Sequence, residues 1–273
     1  MSETILIYSV LGLAGTGVIA GILAGLLGVG GGIVIVPVLF WLLDMLQFPA
    51  PILMHMAVGT SLATIVPTSI SSMRAHHKRG AVDFDLLKSW GPAIVIGAAI
   101  GGIAGKFIDA NGLKMVFGFI ALAVAINMAL PKPLKVGDEL PASRLVNSAI
   151  SGTIGLLSAL MGIGGGTLGV PTMVAFSYPT HRAIGTASAF GLLIALPALL
   201  GFIWSGWGIT GRPMFSLGFI SMAAALVIFP MTVLFAPLGA RLAHSINQRR
   251  LKLVFGAFLS LTAAKMLYSV FAV

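Results

Sequence analysis

The chain has 273 residues, of which 58% are hydrophobic and 8% charged, against about 25% charged in an ordinary soluble domain. Its mean hydropathy is +1.07 and apolar runs of membrane-spanning length recur throughout, which excludes a water-soluble enzyme and leaves an all-α polytopic membrane protein. Sixteen Lys and Arg against seven acids give a net charge of +9; with no exposed domain to gather them into a nucleic-acid groove, they read as topology signals.

Met1-Ser2-Glu3-Thr4 carries no basic residue ahead of the first apolar run, so residues 5–27 are expected as a retained helix and not as a secretory signal peptide. Cysteine is absent, which rules out disulfides, thiolate metal sites and iron-sulfur clusters. Apolar segments continue at 33–47, 50–72, 89–108 and 113–131, then at 145–160, 167–178, 182–204, 215–240 and 252–272. Between the two groups of five lies a polar linker with Pro133, Lys135, Gly137, Asp138, Glu139 and Pro141. The expected organisation is an N-terminal membrane repeat over 1–131, a cytoplasmic linker over 132–144 and a C-terminal membrane repeat over 145–273.

The two halves share motifs in the same order. Gly28-Val29-Gly30-Gly31-Gly32 followed by Pro37 matches Gly162-Ile163-Gly164-Gly165-Gly166 followed by Pro171. His55-Met56-Ala57-Val58-Gly59-Thr60-Ser61 matches His181-Arg182-Ala183-Ile184-Gly185-Thr186-Ala187, and Leu113 to Gly118 matches Leu251 to Gly256. This is a duplicated unit. As one helix, residues 5–47 would be about 64 Å long, against about 30 Å of hydrocarbon, so the chain must turn back at the glycines. The second arms, 33–47 and 167–178, are short for full spans, which places the Gly-rich apices within the membrane. Five segments per unit make the repeats inverted, with both termini on one side. Loops at Arg74 to Lys88, Lys132 to Arg144 and Arg241 to Lys252, with Arg182, then face the cytoplasm, while Lys106, Lys114, Arg212 and Lys265 lie towards the outside. That distribution follows the positive-inside rule and puts both termini outside.

Backbone freed at a glycine break cannot be left to lipid, so it is buried against protein or lines a polar cavity. Half-helices starting at Gly32-Ile33 and Gly166-Thr167 would point unpaired N–H groups and positive dipole ends into the membrane from opposite sides. The expected anion site is therefore built from Gly30, Gly31, Gly32, Gly164, Gly165, Gly166 and Thr167, without a buried cation. The competing reading is that the glycines only permit close helix packing. Thr60 and Ser61, with Thr186 and Ser188 as approximate counterparts, are placed about ten residues into their segments, near the midplane, as further hydroxyl donors; bonding to their own backbone is the alternative. His55 and His181 stand at the starts of those segments as candidates for proton coupling, or as interfacial caps. His76-His77 falls in the basic stretch Arg74 to Gly80, read as solvated topology charge; no neighbouring acid and histidine cluster completes a metal shell. The seven acids, Glu3, Asp44, Asp83, Asp85, Asp109, Asp138 and Glu139, sit near segment ends or in loops, so no catalytic carboxylate pair is expected, and the glycine runs lack a P-loop ending.

At these residues the sequence resembles the TauE/SafE family of sulfite exporters, also called the toluene sulfonate uptake permease family. The resemblance covers almost the full length. It rests on the two Gly-rich motifs with Pro37 and Pro171, on Gly59-Thr60-Ser61-Leu62-Ala63-Thr64, and on Arg74-Ala75-His76-His77-Lys78-Arg79-Gly80-Ala81-Val82-Asp83. It implies secondary transport of a small sulfur-containing anion such as sulfite, a sulfonate, sulfoacetate or thiosulfate in a bacterial inner membrane. The basic motif has no counterpart in the second half, where Ser205 to Arg212 stand in its place. The expected partners are that anion, the lipid bilayer and a coupling proton or sodium ion, with no cofactor, metal or nucleic acid. A non-transporting membrane scaffold for an enzyme complex is the alternative.

Overall fold

The computed structural model describes residues 3–130, 134–243 and 248–271. Among the described residues ten helices lie in chain order, five on either side of the linker: α1 (Glu3–Leu27), α2 (Gly32–Met45), α3 (Ala50–His77), α4 (Phe84–Ala104), α5 (Ala110–Ala129), α6 (Arg144–Met161), α7 (Gly166–Ala175), α8 (Thr180–Ser205), α9 (Met222–Leu242) and α10 (Gln248–Phe271). Eight are long and apolar enough to cross a bilayer. The other two, α2 with 14 residues and α7 with 10, extend about 21 and 15 Å, short of about 30 Å of hydrocarbon.

The three largest departures from the expected apolar segments each have a local reason. The expected segment 215–240 opens with an antiparallel hairpin, β1 (Ser216–Leu217) and β2 (Ile220–Ser221), because Gly218 at φ 57° reverses the chain. The Ser221 hydroxyl then caps α9, accepting from the Ala224 amide at 3.4 Å. The fourth helix starts at Phe84 and not at residue 89, since Asp83 caps it by accepting from the amides of Asp85 and Leu86, both at 3.0 Å. Third, α3 continues through His77, so much of the expected basic loop is helix.

Packing treats the halves alike. α1 lies along α9 and α4 along α6; α3 packs on α9 and α4 on α8; α2 covers α3 and α7 covers α8; α3 meets α8 and α5 meets α10. Exchanging the first five helices for the second five leaves this pattern unchanged. The agreement extends to single backbone contacts: Gly59 abuts the carbonyl of Phe219, just before α9, and Gly185 abuts the carbonyl of Ala81, just before α4. Helices α3 and α8 are antiparallel, with Gly59 beside Phe202 and Gly191 beside Ser69. Glycines at these crossings let backbones approach closely, which is where helix association in lipid gains its dispersion energy.

The loops collect at two ends. At one, Val136 donates to the Ala175 carbonyl at 2.7 Å and the Ser177 hydroxyl to the Gly137 carbonyl at 3.0 Å, fastening the linker to the α7–α8 turn; Lys132 and Pro133 of the expected linker lie outside the described residues. At the other end Pro49, the α4–α5 loop and the loop after α8 meet. Between them the core is filled by Trp90, Phe117, Phe190 and Phe202, with the Trp90 and Phe190 rings stacked at 6.0 Å. Ile96, Ile100 and Ile103 of α4 face outward, as a lipid-facing surface requires.

Candidate functional site

The two glycine breaks meet in the interior. After α1 the chain turns through Gly28, Gly30 and Gly31 at φ 67°, 69° and 79°, and α6 ends on Gly162 at φ 67°, conformations open to glycine without the steric cost of a Cβ. The Gly164 amide donates to the Val29 carbonyl at 3.1 Å. Gly30 lies against the Cα of Gly164, while Gly32 and Gly166 press on the carbonyls of Gly162 and Gly28 so closely that a methyl group on either would overlap them. Gly31 and Gly165 face outward from this contact, onto Ala20 and Phe190. The structure thus brings Gly30, Gly32, Gly164 and Gly166 into one buried junction, with Gly31 packed on α1 of its own hairpin and Gly165 on α8.

Each break also opens a helix. The Gly31 carbonyl accepts from Val34 and Ile35, and the Gly165 carbonyl from Gly169. Among the described residues, the amides of Gly32 and Ile33 on α2 and of Gly166, Thr167 and Leu168 on α7 have no acceptor, as expected at helix starts. Thr167 is 2% exposed and its hydroxyl has no partner among the described residues. Donors and two positive dipole ends therefore flank one junction, and among the described residues no Lys or Arg is buried there. That chemistry suits an oxyanion.

The four expected hydroxyls divide. Ser61 belongs to the junction, donating to the Gly162 carbonyl at 2.7 Å. Thr60 and Thr186 each accept a backbone amide at 2.9 Å, from Ser221 and Asp83, and so hold the starts of α9 and α4. Ser188 bonds its own helix at the Gly185 carbonyl. Of the two threonines expected about ten residues into their segments, Thr60 is the eleventh residue of α3 and Thr186 only the seventh of α8, because α3 has an extra turn between Pro49 and Gly59. Buried hydroxyls outside the sequence-based set, Ser69 and Ser158 among them, also have no partner among the described residues. Ser69 lies on a face of α3 rich in buried hydroxyls, with Thr64, Thr68 and Ser72; this helical spacing of polar groups marks the face but does not single out Ser69.

Comparison with known proteins supplies the family. Residues 13–266 match the family described as Sulfite exporter TauE/SafE. The chain belongs to this family. A "Probable membrane transporter protein" of Haemophilus influenzae is 36% identical over 253 residues, covering 92% of this chain and 95% of that protein. Similar proteins occur in Methanocaldococcus jannaschii, 29% identical over 260 residues and 92% of each chain, and in Bacillus subtilis, where "Probable membrane transporter protein YunE" is 28% identical over 275 residues, 92% of this chain and 95% of the relative. No solved structure matches. The chain is a multi-pass membrane transporter of the TauE/SafE family.

The matched histidines of this TauE/SafE protein occupy unlike places. His55 is 6% exposed, with Nε2 at 3.0 Å from the carbonyls of both Gly105 and Ile108. Carbonyls only accept, so Nε2 carries the proton and pins α3 to the α4–α5 loop. His181 is exposed in the first turn of α8. The extra turn of α3 carries His55 inward from the segment start, correcting the expectation for that residue. His76 is likewise not a solvated charge: it is buried, its Nε2 donating to the Gly25 carbonyl at 2.9 Å.

At the linker end, Asp83 gathers the charge. One carboxylate oxygen caps α4; the other accepts from the Tyr178 hydroxyl and from Arg182 at 2.7 Å. Burial pushes the Asp83 carboxyl up, but the Tyr178 hydroxyl, the Leu86 and Asp85 amides and the Arg182 guanidinium together outweigh it and hold the group below the usual carboxylate range. Burial, then the bond to Asp83, pushes the Tyr178 phenol up to about 12.

Proposed function

We propose that this family member is a secondary transporter of a small sulfur-containing anion of the sulfite, thiosulfate, sulfoacetate or organosulfonate type, bound at the paired glycine apices. The observation that carries this reading is the junction itself: five amides and the Thr167 hydroxyl without an acceptor beside two half-span helices, with no buried cation among the described residues. A sulfur oxyanion spreads its charge over several oxygens, and backbone donors satisfy these without the cost of burying a countercharge. The family description, which names sulfite, supports the sulfur class.

Antiparallel α3 and α8, together with packing unchanged by exchange of the halves, supports an inverted repeat over 1–131 and 145–273. In such a repeat, movement of one hairpin against the other parts the apices from alternate sides, giving alternating access. The basic ends of α3 and α9 and the linker face the cytoplasm of a bacterial inner membrane in this reading, and both termini face outward. A coupling proton or sodium ion completes it, with His55 and His181 the histidines to substitute first.

The test is flux in proteoliposomes. Labelled sulfite, thiosulfate and sulfoacetate are offered to wild type and to Thr167→Val, which keeps volume and removes the hydroxyl. Uptake above empty vesicles for at least one anion, reduced about tenfold or more in Thr167→Val, is expected for a charge-assisted hydrogen bond. Flux no greater than in empty vesicles for all three would favour the scaffold role instead.

A further inference from the structure

A groove of about 690 Å³ opens between α3 and α9 at the linker end of the molecule, remote in sequence from the glycine apices. Arg74, Lys78, Arg79 and Arg241 line its head, and Ile70 and Phe229 are among the residues of its apolar part. Among the described residues no carboxylate lines it. Among the described residues none of the four cations is in a salt bridge; Arg79 donates to the carbonyl of Ala75 on its own helix.

The fold does not require these charges. With Gly59 set on Gly185 and Pro92 on Pro230, the matching positions in the other half are Leu200, Trp204, Ser205 and Ile103. All four are uncharged, although α8 packs on α4 as α3 packs on α9. A topology signal calls for cations on one side of the membrane; it does not call for four of them on one groove with an apolar floor. Cations at the end of two membrane helices, above an apolar wall that continues into the lipid-exposed Leu234 and Leu238 of α9, match a phosphate head joined to acyl chains. The geometry points to a binding site for an anionic phospholipid, its phosphate held by Arg74, Lys78, Arg79 and Arg241 and its chains lying along α9. This site stands apart from the transport reading and does not depend on it.

Native mass spectrometry of the full chain in a neutral detergent tests it, with phosphatidylglycerol, phosphatidylcholine and inorganic phosphate as separate probes. Wild type is expected to retain phosphatidylglycerol in preference to phosphatidylcholine. Arg74→Gln/Lys78→Gln/Arg241→Gln, checked for a wild-type melting temperature, should lose roughly fivefold in phosphatidylglycerol affinity per cation removed and keep its phosphatidylcholine binding. If the triple variant does not fold, Arg241→Gln alone serves, with a loss of roughly fivefold. Equal retention of the two lipids, or unchanged phosphatidylglycerol binding in the folded variants, would overturn the proposal. Displacement of phosphatidylglycerol by phosphate at like concentration would make this a free-anion site and overturn the lipid assignment.

Discussion

A methyl group added at Gly12 of α1 meets nothing within 4 Å, whereas one at Gly166 would overlap the Gly28 carbonyl. Gly12→Ala is therefore expected to leave stability unchanged or raise it by up to about 1 kcal/mol through helix propensity. Gly166→Ala should cost about 2 kcal/mol or more, because backbone cannot move aside as a side chain does; thermal unfolding of the two purified variants checks the contrast. Gly31→Ala also perturbs folding, since Gly31 holds φ 79° and a Cβ there would lie 2.8 Å from the Ala20 carbonyl. Thr167→Val separates binding from folding better, as no hydrogen bond to a described residue is lost. The glycines and Thr167 were legible because the repeat displays them twice or places them next to a matched motif. Ser69 was not, because most membrane hydroxyls bond their own helix, as Thr64 and Thr68 do, and spacing does not show which one is left over.

Among the elements, the start of α4 depends on Asp83. Asp83→Ala removes the cap together with the acceptor for Tyr178 and Arg182, and should lower stability by about 1 to 2 kcal/mol at neutral pH. The folded-state pKa of Asp83 lies below its ordinary value of 3.8. Its charge therefore contributes stability that is present above about pH 4 and is lost as pH falls through the lower folded value. Melting curves of wild type and Asp83→Ala should converge as pH drops below 4; a gap constant down to pH 2 would show that the carboxylate charge contributes nothing. Tyr178, at about 12, stays a protonated donor throughout. Apolar periodicity missed this boundary because Asp85 and Lys88 put two charges among Phe84, Leu86 and Leu87 in the first turns. It missed the β-hairpin because Leu217, Phe219 and Ile220 are as apolar as the helix they precede.

For the whole molecule, helix number and order were readable from apolar runs broken by polar or Gly-rich stretches, and three motifs in the same order are the ground on which the repeat is proposed. The approach of the two glycine apices followed from the expected inverted repeat; the contacts that close them, such as the Gly164 amide on the Val29 carbonyl, did not, since they join residues separated by more than a hundred positions through backbone that leaves no side-chain pattern. The inverted reading makes a direct topological statement: tags at both termini should be reached by an impermeant reagent in intact cells, and labelling only after the inner membrane is breached would contradict it. The central claim, that the junction binds a sulfur oxyanion, is tested most directly by the melting temperature of the purified protein in sulfite, thiosulfate, sulfoacetate, taurine, sulfate and chloride, since a ligand of the native state raises it. A rise with a sulfur-containing anion, absent with chloride and lost in Thr167→Val, is the expected result. The same melting temperature in every anion at millimolar concentration, or a rise kept in full by Thr167→Val, would contradict it.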